Sequence, residues 1–574
     1  MRRYIGFLVI LVGLMALSAC DSMFGSDKKS SRDKGTTLSY TLEDTQGKEI
    51  YFVFTNYSIS ARRSSPSIVL SEGSVSSRGS RRVRTTSLQP TPVAQRGKPE
   101  ITAWNREAPS RIRTDLVRGL SGPAAPPPAR SYTQDTTRFD FQTSTNLSAG
   151  APAVGATLRG MVEKSDISVG DGTKNKRLLV WVADDCWGED SQKAHKITSQ
   201  LVDDLAGAFL DPAKPAIYEW ITGVFGEEWG PSSYSNLLHE TNDIHILLYD
   251  IDADNSASGG VLGYFWAKDN FTQDSDSNEK IMFYLDAVMY AAGVQNGVNW
   301  TDEIISTLAH EFQHMIHFYQ KAIVNDTDGS DTWIDEMCAM IAEDIVADKL
   351  EIEGPRGVPL SGGSFVYTPE GTGLTGGRLP LFNYVIEHPL AYWDTDNPDV
   401  DYSHSYAFGA FLARNYGDFT TLFGGILQNQ WTDYQAVVEA VRSSPGRGDI
   451  SFRDILREWG AAVVLSDKTD LTADDFRVLH VSRQGGSSPG EIGAGYNTGE
   501  AITSGGYSLG SIDLYSYSYS YNGQNGPYFW DSGDVLPQLN PSSNLYVHMG
   551  TAGSDSVTYS VSLAENVDWT IIVR

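Results

Sequence analysis

Residues 301–320 read TDEIISTLAHEFQHMIHFYQ. No Gly or Pro interrupts the stretch, and Asp302 and Glu303 stand where a helix N-terminus favours anions, so it predicts a helix. Ile304, Ile305, Leu308, Phe312, Met315, Ile316 and Tyr319 supply apolar surface, which makes that helix a buried one. His310 and His314 are four residues apart and therefore lie one turn apart on one face. Two imidazoles so placed can reach one zinc ion at about 2.0–2.1 Å each. Glu311 stands beside that face, placed to take a proton from an activated water rather than to ligate. A helix that merely displayed surface histidines would not need such apolar flanks, and unpaired polar groups among them would be costly.

A catalytic zinc site usually has three protein ligands and a water. His317 is on the same helix, but three ligands strung along one straight helix converge poorly. Glu336 opens the next predicted helix in WIDEM, residues 333–337, with Asp335 and Glu343 as alternatives; taken alone, Glu336 reads equally as a first-turn helix charge. Here the sequence resembles a known group. WIDEM is similar to the W-x-x-E segment of the gluzincins, zinc peptidases that draw a glutamate ligand from a following helix. Within that clan, the words around HEFQHMIHF most resemble the hyicolysin family of bacterial secreted metallopeptidases. The resemblance covers roughly residues 175–470 and neither end. It implies a zincin-like domain, one catalytic Zn2+ and Glu336 as third ligand. It also implies a tyrosine or histidine from a later segment for the oxyanion. Tyr406, in YAFG at residues 406–409, is similar to the Y-x-x-G tyrosine of related zinc aminopeptidases; Tyr402 and His404 are its rivals, and aromatic packing onto the core explains any one of them as well. Zincins often place a substrate-binding edge strand some 25 residues before the site helix, which points to Phe283, Tyr284 and Asp286. An extended peptide would add to that strand through main-chain hydrogen bonds.

Working outward, RLLVWVA (177–183), IHILLY (244–249) and IMFYL (281–285) predict strands, with helix-like sequence over 192–209. Helices are predicted over 301–320, 332–348 and 406–416, with more within 430–466. Strands first and helices after predict an α+β metallopeptidase domain over 171–475, a mixed sheet ahead of a helical half that carries the HExxH helix. From about residue 480 to 574, Gly, Ser and Tyr dominate with alternation, which predicts a separate C-terminal β-sandwich. Residues 38–57 predict a small N-terminal β element. Residues 58–170, rich in Ser, Arg and Pro, read as a linker or partly ordered arm. The turn 250–255 (DIDADN) spaces oxygens like the opening of a calcium loop but lacks its sixth-position glycine and has Val261 in place of the glutamate, so a solvated turn is the plainer reading.

The first residues are an address. Arg2 and Arg3 precede an apolar run over 5–17 too short for a comfortable membrane span. It ends in LSAC, residues 17–20, which resembles the lipobox of bacterial lipoproteins. That implies a signal peptide over 1–19, a lipid on Cys20 holding the chain to a membrane, and a tether over 20–37. Of the three cysteines, Cys186 and Cys338 either pair or stay as buried thiols; spacing alone does not decide. The net charge of −28 argues against nucleic acid as the main partner, since phosphate binding needs a basic surface. The expected activity is therefore an exported, lipid-anchored zinc peptidase, of endopeptidase type, acting on protein or peptide substrates. The rival is a surface-binding lipoprotein with a structural zinc. Nothing in the sequence sets an oligomeric state.

Overall fold

The structure is a computed structural model that describes residues 35–76, 94–117, 131–145, 153–170, 172–257, 259–272, 274–295, 298–352, 377–393, 398–471, 476–481, 487–490, 495–517 and 526–574. Cys20, the signal segment and residues 126–128 lie outside the described residues.

Near the N-terminus come β1 (Thr36–Leu42), β2 (Glu49–Asn56), β3 (Ser67–Glu72), β4 (Ala94–Arg96), α1 (Pro99–Val117) and β5 (Arg138–Phe141). The central part contains β6 (Val154–Val169), β7 (Gly172–Ala183), α2 (Ser199–Phe209), α3 (Ile217–Phe225), β8 (Asp243–Tyr249), β9 (Gly260–Phe265) and β10 (Met282–Asp286). Its helices continue with α4 (Ala287–Ala292), α5 (Trp300–Phe318), α6 (Thr332–Leu350), α7 (Arg378–Tyr384), α8 (Pro398–Asn415), α9 (Phe419–Gln428), α10 (Tyr434–Arg442) and α11 (Phe452–Val464). The chain ends in β11 (Arg477–Val481), β12 (Ser487–Pro489), β13 (Ser543–Ala552), β14 (Val557–Leu563) and β15 (Val567–Val573).

One seven-stranded mixed sheet runs β4-β9-β10-β8-β7-β6-β5. β7, β8 and β10 are parallel neighbours, while β9 runs antiparallel to β10 and β6 antiparallel to β7. Residues 178–183 of β7 are buried on both faces, as the unbroken apolar run requires of a strand inside a covered sheet. Phe209 of α2 touches Phe283 of β10 at 5.7 Å and Phe312 of α5 at 5.0 Å between ring centroids, so α2 helps fill the space between sheet and site helix. α5 lies close on β9. A Cβ at Gly263 would stand 2.7 Å from the Tyr284 carbonyl and 3.1 Å from Thr307 Cγ2, so only glycine allows that approach. α6 and α8 are equally close: a Cβ at Gly409 would stand 2.8 Å from Met337 Cγ. Among the described residues no helix is long and apolar enough to cross a membrane.

Three sequence expectations are corrected. First, the β element over 38–57 is not separate from the β-rich end. β2 is the inner partner of both β13 and β15, and β1 pairs with β14, whose other edge takes β3. The two sheets share a core of their own, including Leu38, Phe52, Tyr559 and Trp569, so the unit expected over 480–574 is built with residues 36–76. Second, much of 58–170 is ordered rather than linker. α1 buries Ile101, Trp104, Ala108 and Ile112, and β5 and β6 complete the central sheet. Third, the central sheet, expected to begin near residue 171, therefore draws on strands well before it. Local composition misled because the Ser/Arg/Pro-rich stretches hide short apolar patterns that only distant partners cover.

Candidate metal centre

Asn299 caps α5, its side chain accepting from the Asp302 N–H. Leu308, Phe312, Met315 and Ile316 are fully buried, with Phe312 against Phe209 and Tyr218. That packing fixes the rotation of the helix and so the face on which the histidines emerge. The rings of His310 and His314 lie 4.8 Å apart. Glu336, in the first turns of α6, brings Oε2 to 3.2 Å from His310 Nε2 and 3.5 Å from His314 Nε2. One ligand atom from each of the three residues falls within 4.8 Å of the others, the one such cluster among the described residues. Trp333, buried against Phe408 of α8, anchors the start of α6 so that Glu336 faces α5.

Two imidazole nitrogens and a carboxylate oxygen are the donor set of a catalytic zinc site. His310 Nε2 and Glu336 Oε2 are both buried and neither forms a hydrogen bond, a costly arrangement that a cation between them would satisfy. The residues therefore fit zinc. Glu311 is 1 % exposed and stands outside the three-residue cluster.

The other ring nitrogens are also held. His310 Nδ1 lies 2.7 Å from Glu343 Oε1, and the same carboxylate accepts from Ser306 and from the Arg378 guanidinium at 2.8 Å. His314 Nδ1 lies 2.9 Å from Asp335 Oδ1. Asp335 and Glu343, weighed as ligands from sequence, instead orient the two imidazoles from outside; such partners fix the ring tautomer and raise ligand basicity. Burial disfavours a charged His314, but Asp335 and Glu336 outweigh it and hold the imidazole well above its usual range. His317 faces Ser330 at 2.8 Å, and burial pushes it down to about 4. Arg378 is the functional residue that sequence reasoning missed; nothing in GGRLPLF marks it. Glu343 did carry a signal, since seven residues beyond Glu336 is two turns along the same face.

α8 contributes the tyrosines. Tyr402, half-buried, places its hydroxyl 3.4 Å from Glu336 Oε1. Tyr406, one turn on, is fully buried with the Arg378 guanidinium 5.4 Å from its ring centroid. His404 is buried, its Nδ1 3.0 Å from the Val400 carbonyl.

The expected substrate strand is corrected. β10 is paired on both sides, with β9 and β8, and is no edge. Phe283, Tyr284 and Asp286 are buried; Tyr284 bonds to Asn278 and Asp269, and Asp286 caps α4 and accepts from the Ile251 N–H. Two of the three carboxylates of the turn 250–255 are matched by lysines. Lys193 Nζ is 2.6 Å from Asp250 Oδ2 and Lys98 Nζ 2.6 Å from Asp252 Oδ1. Cys186 and Cys338 are both free and buried.

Residues 164–354 match the family model Peptidase M30. The neutral metalloprotease ShpI of Staphylococcus hyicus is 27% identical over 269 residues, covering 46% of this chain and 52% of that protein. The chain thus spans about half the length of that relative. An M1 zinc metallopeptidase from Deinococcus radiodurans is 12% identical over 52% of each chain with a TM-score of 0.27, and a mutant of the same enzyme is 11% identical with the same score, a likeness too slight to bear on the fold. The residues that match Peptidase M30 thus include His310, His314 and Glu336, the three that converge at the candidate metal centre.

Proposed function

We propose that this chain is a zinc-dependent peptidase that hydrolyses internal peptide bonds of protein substrates, exported and held to a membrane by a lipid on Cys20. The convergence of His310, His314 and Glu336 within 4.8 Å, on helices packed against a covered sheet, carries the reading. His310, His314 and Glu336 would hold a zinc ion, which when bound would supply the Lewis acidity for activating water and polarising the scissile carbonyl. Glu311 accepts the proton of the attacking water and returns it to the leaving amine. The Tyr402 hydroxyl, the tyrosine that reaches a ligand, donates to the oxyanion of the tetrahedral intermediate. The lipid anchor and export rest on the order of charge, apolar run, small residues and cysteine in the first twenty residues.

The test is hydrolysis of unfolded casein by the chain, with and without a zinc chelator, alongside metal analysis. Chelator-sensitive cleavage with one zinc per chain is expected. One bound zinc and no cleavage would leave the surface-binding lipoprotein as the better reading.

A further inference from the structure

The metal-side edge of the central sheet is covered by the chain's own N-terminal part. β9 lies close on α5 through Gly263, and its inner edge is taken by β10. Its outer edge pairs with β4, three residues long and parallel, and Gly97 N–H donates to the Gly263 carbonyl at 2.8 Å. The main-chain groups that an extended polypeptide would need for strand addition are thereby occupied.

α1 follows at once and is fastened across the same region. The Asn105 amide donates to the Phe265 carbonyl and accepts from Ala267 N–H, both at 2.8 Å, continuing the grip on β9 beyond β4. Arg113 pairs with Asp326 at 3.2 Å and Asp328 at 2.6 Å, and Arg106 with Asp331 at 3.3 Å. Those acids lie in the connection from the HExxH helix to the Glu336 helix. Residues 94–113 thus bridge the edge strand and the loop between the two ligand-bearing helices. Between α1 and the side of His314 and Asp335 there remains a space of only ≈ 30 Å³, room for about one water and not for a peptide. The larger opening, ≈ 690 Å³, runs between α1 and the wall formed by Trp393 and Tyr402, so α1 is one side of an opening lined by the tyrosine whose hydroxyl lies 3.4 Å from Glu336.

The polar part of the fastening is weak. The ion pairs are partly exposed, and such pairs each contribute little. The apolar anchors are Ile101, Trp104, Ala108 and Ile112, with Trp104 packed edge-on against Trp266 and Phe271 at 6.4 and 5.6 Å.

We propose that residues 94–117 are an inhibitory strap: they occupy the outer edge of β9, where an extended polypeptide substrate pairs, and hold the peptidase slow until displaced. This rests on the peptidase reading above. Because strap and substrate compete for one edge, loosening the strap lowers KM and raises kcat/KM while kcat at saturating substrate stays near the parent's value. The apparent affinity is set by the fraction of molecules with the edge open.

The test uses the full zinc-loaded chain, with Trp104→Ala and Arg113→Ala compared to the parent on unfolded casein. Neither residue belongs to the metal cluster, and thermal melting checks that each variant is folded. Arg113→Ala, at the protein surface, decides alone if Trp104→Ala does not fold. The expected result is a rise in kcat/KM of about threefold for Arg113→Ala and about tenfold or more for Trp104→Ala, carried by KM. Folded variants with the parent's kcat/KM, or a rise carried wholly by kcat, would overturn the strap while leaving the peptidase standing. Absence of cleavage by parent and variants alike, each binding one zinc, overturns the peptidase reading and the strap with it.

Discussion

Glu343 Oε1 lies 2.7 Å from His310 Nδ1, two turns along α6 from Glu336, so one helix supplies both a candidate ligand and the carboxylate that orients a second candidate. Rotation of α6 therefore moves both together. Replacing Glu343 with Gln keeps an acceptor but removes the charge. Zinc affinity is expected to fall about tenfold to a hundredfold, read by competition with a chelator of known affinity. Glu343→Ala also strands the buried Arg378 guanidinium, and should cost about 3–5 kcal/mol of stability in denaturant unfolding.

Glu311 is buried beside the ligands without joining them. Glu311→Gln should retain one zinc per chain and lose about 10²- to 10⁴-fold in turnover. Unchanged casein hydrolysis by the zinc-bound variant would reject Glu311 as the proton carrier.

The two tyrosines of α8 separate by position. Tyr402→Phe removes the hydroxyl nearest Glu336 and should lower kcat about 10²- to 10³-fold, with KM little changed. Tyr406→Phe, behind Arg378, should leave kcat near the parent's. The opposite pattern would return the oxyanion role to Tyr406, the residue to which the sequence resemblance pointed.

His480 on β11 is buried, with Nδ1 2.9 Å from Thr570 Oγ1, and burial, helped by Arg457, pushes it down to about 4. Between about pH 6.5 and 4 the unfolded chain takes up a proton that the folded chain refuses. Stability from this group is thus complete above about pH 6.5 and is lost as pH falls through 4, by on the order of 3 kcal/mol. His480→Gln should flatten that part of the unfolding free energy against pH; a variant with the parent's slope would show that the loss originates elsewhere.

β2 stands between β13 and β15, with Phe52 against Tyr559 and Trp569 at 4.8 and 5.0 Å. A chain beginning at residue 58 would expose two long apolar strand edges. It should be recovered as aggregate, whereas a chain beginning at residue 35 should be soluble; equal solubility would show that the remaining strands close up without β2.

The candidate metal-binding pair was legible in the sequence because its placement is a local matter. His310 and His314 share a face through helix geometry alone, and the uninterrupted apolar residues around them are enough to predict that helix. Glu336 was legible through its resemblance, its distance from His314 being set by a short connection between two helices. The parallel run of β7, β8 and β10 was legible as separate apolar strands. What the tertiary structure alone decided are relations between residues far apart in the chain. They include the insertion of β2 between β13 and β15, the pairing of β9 along β10, which makes β10 an interior strand, and the capping of β9 by β4. They also include Arg378 behind Glu343 and the turning of Asp335 to His314. Strand pairing depends on backbone groups that every residue shares, so a short strand carries little record of its partner in its own side chains. The role of a buried carboxylate depends on which donor the packing brings to it. In this protein those choices set the two alternative ligands, Asp335 and Glu343, against the imidazoles of His314 and His310 and made a supposed linker part of the fold.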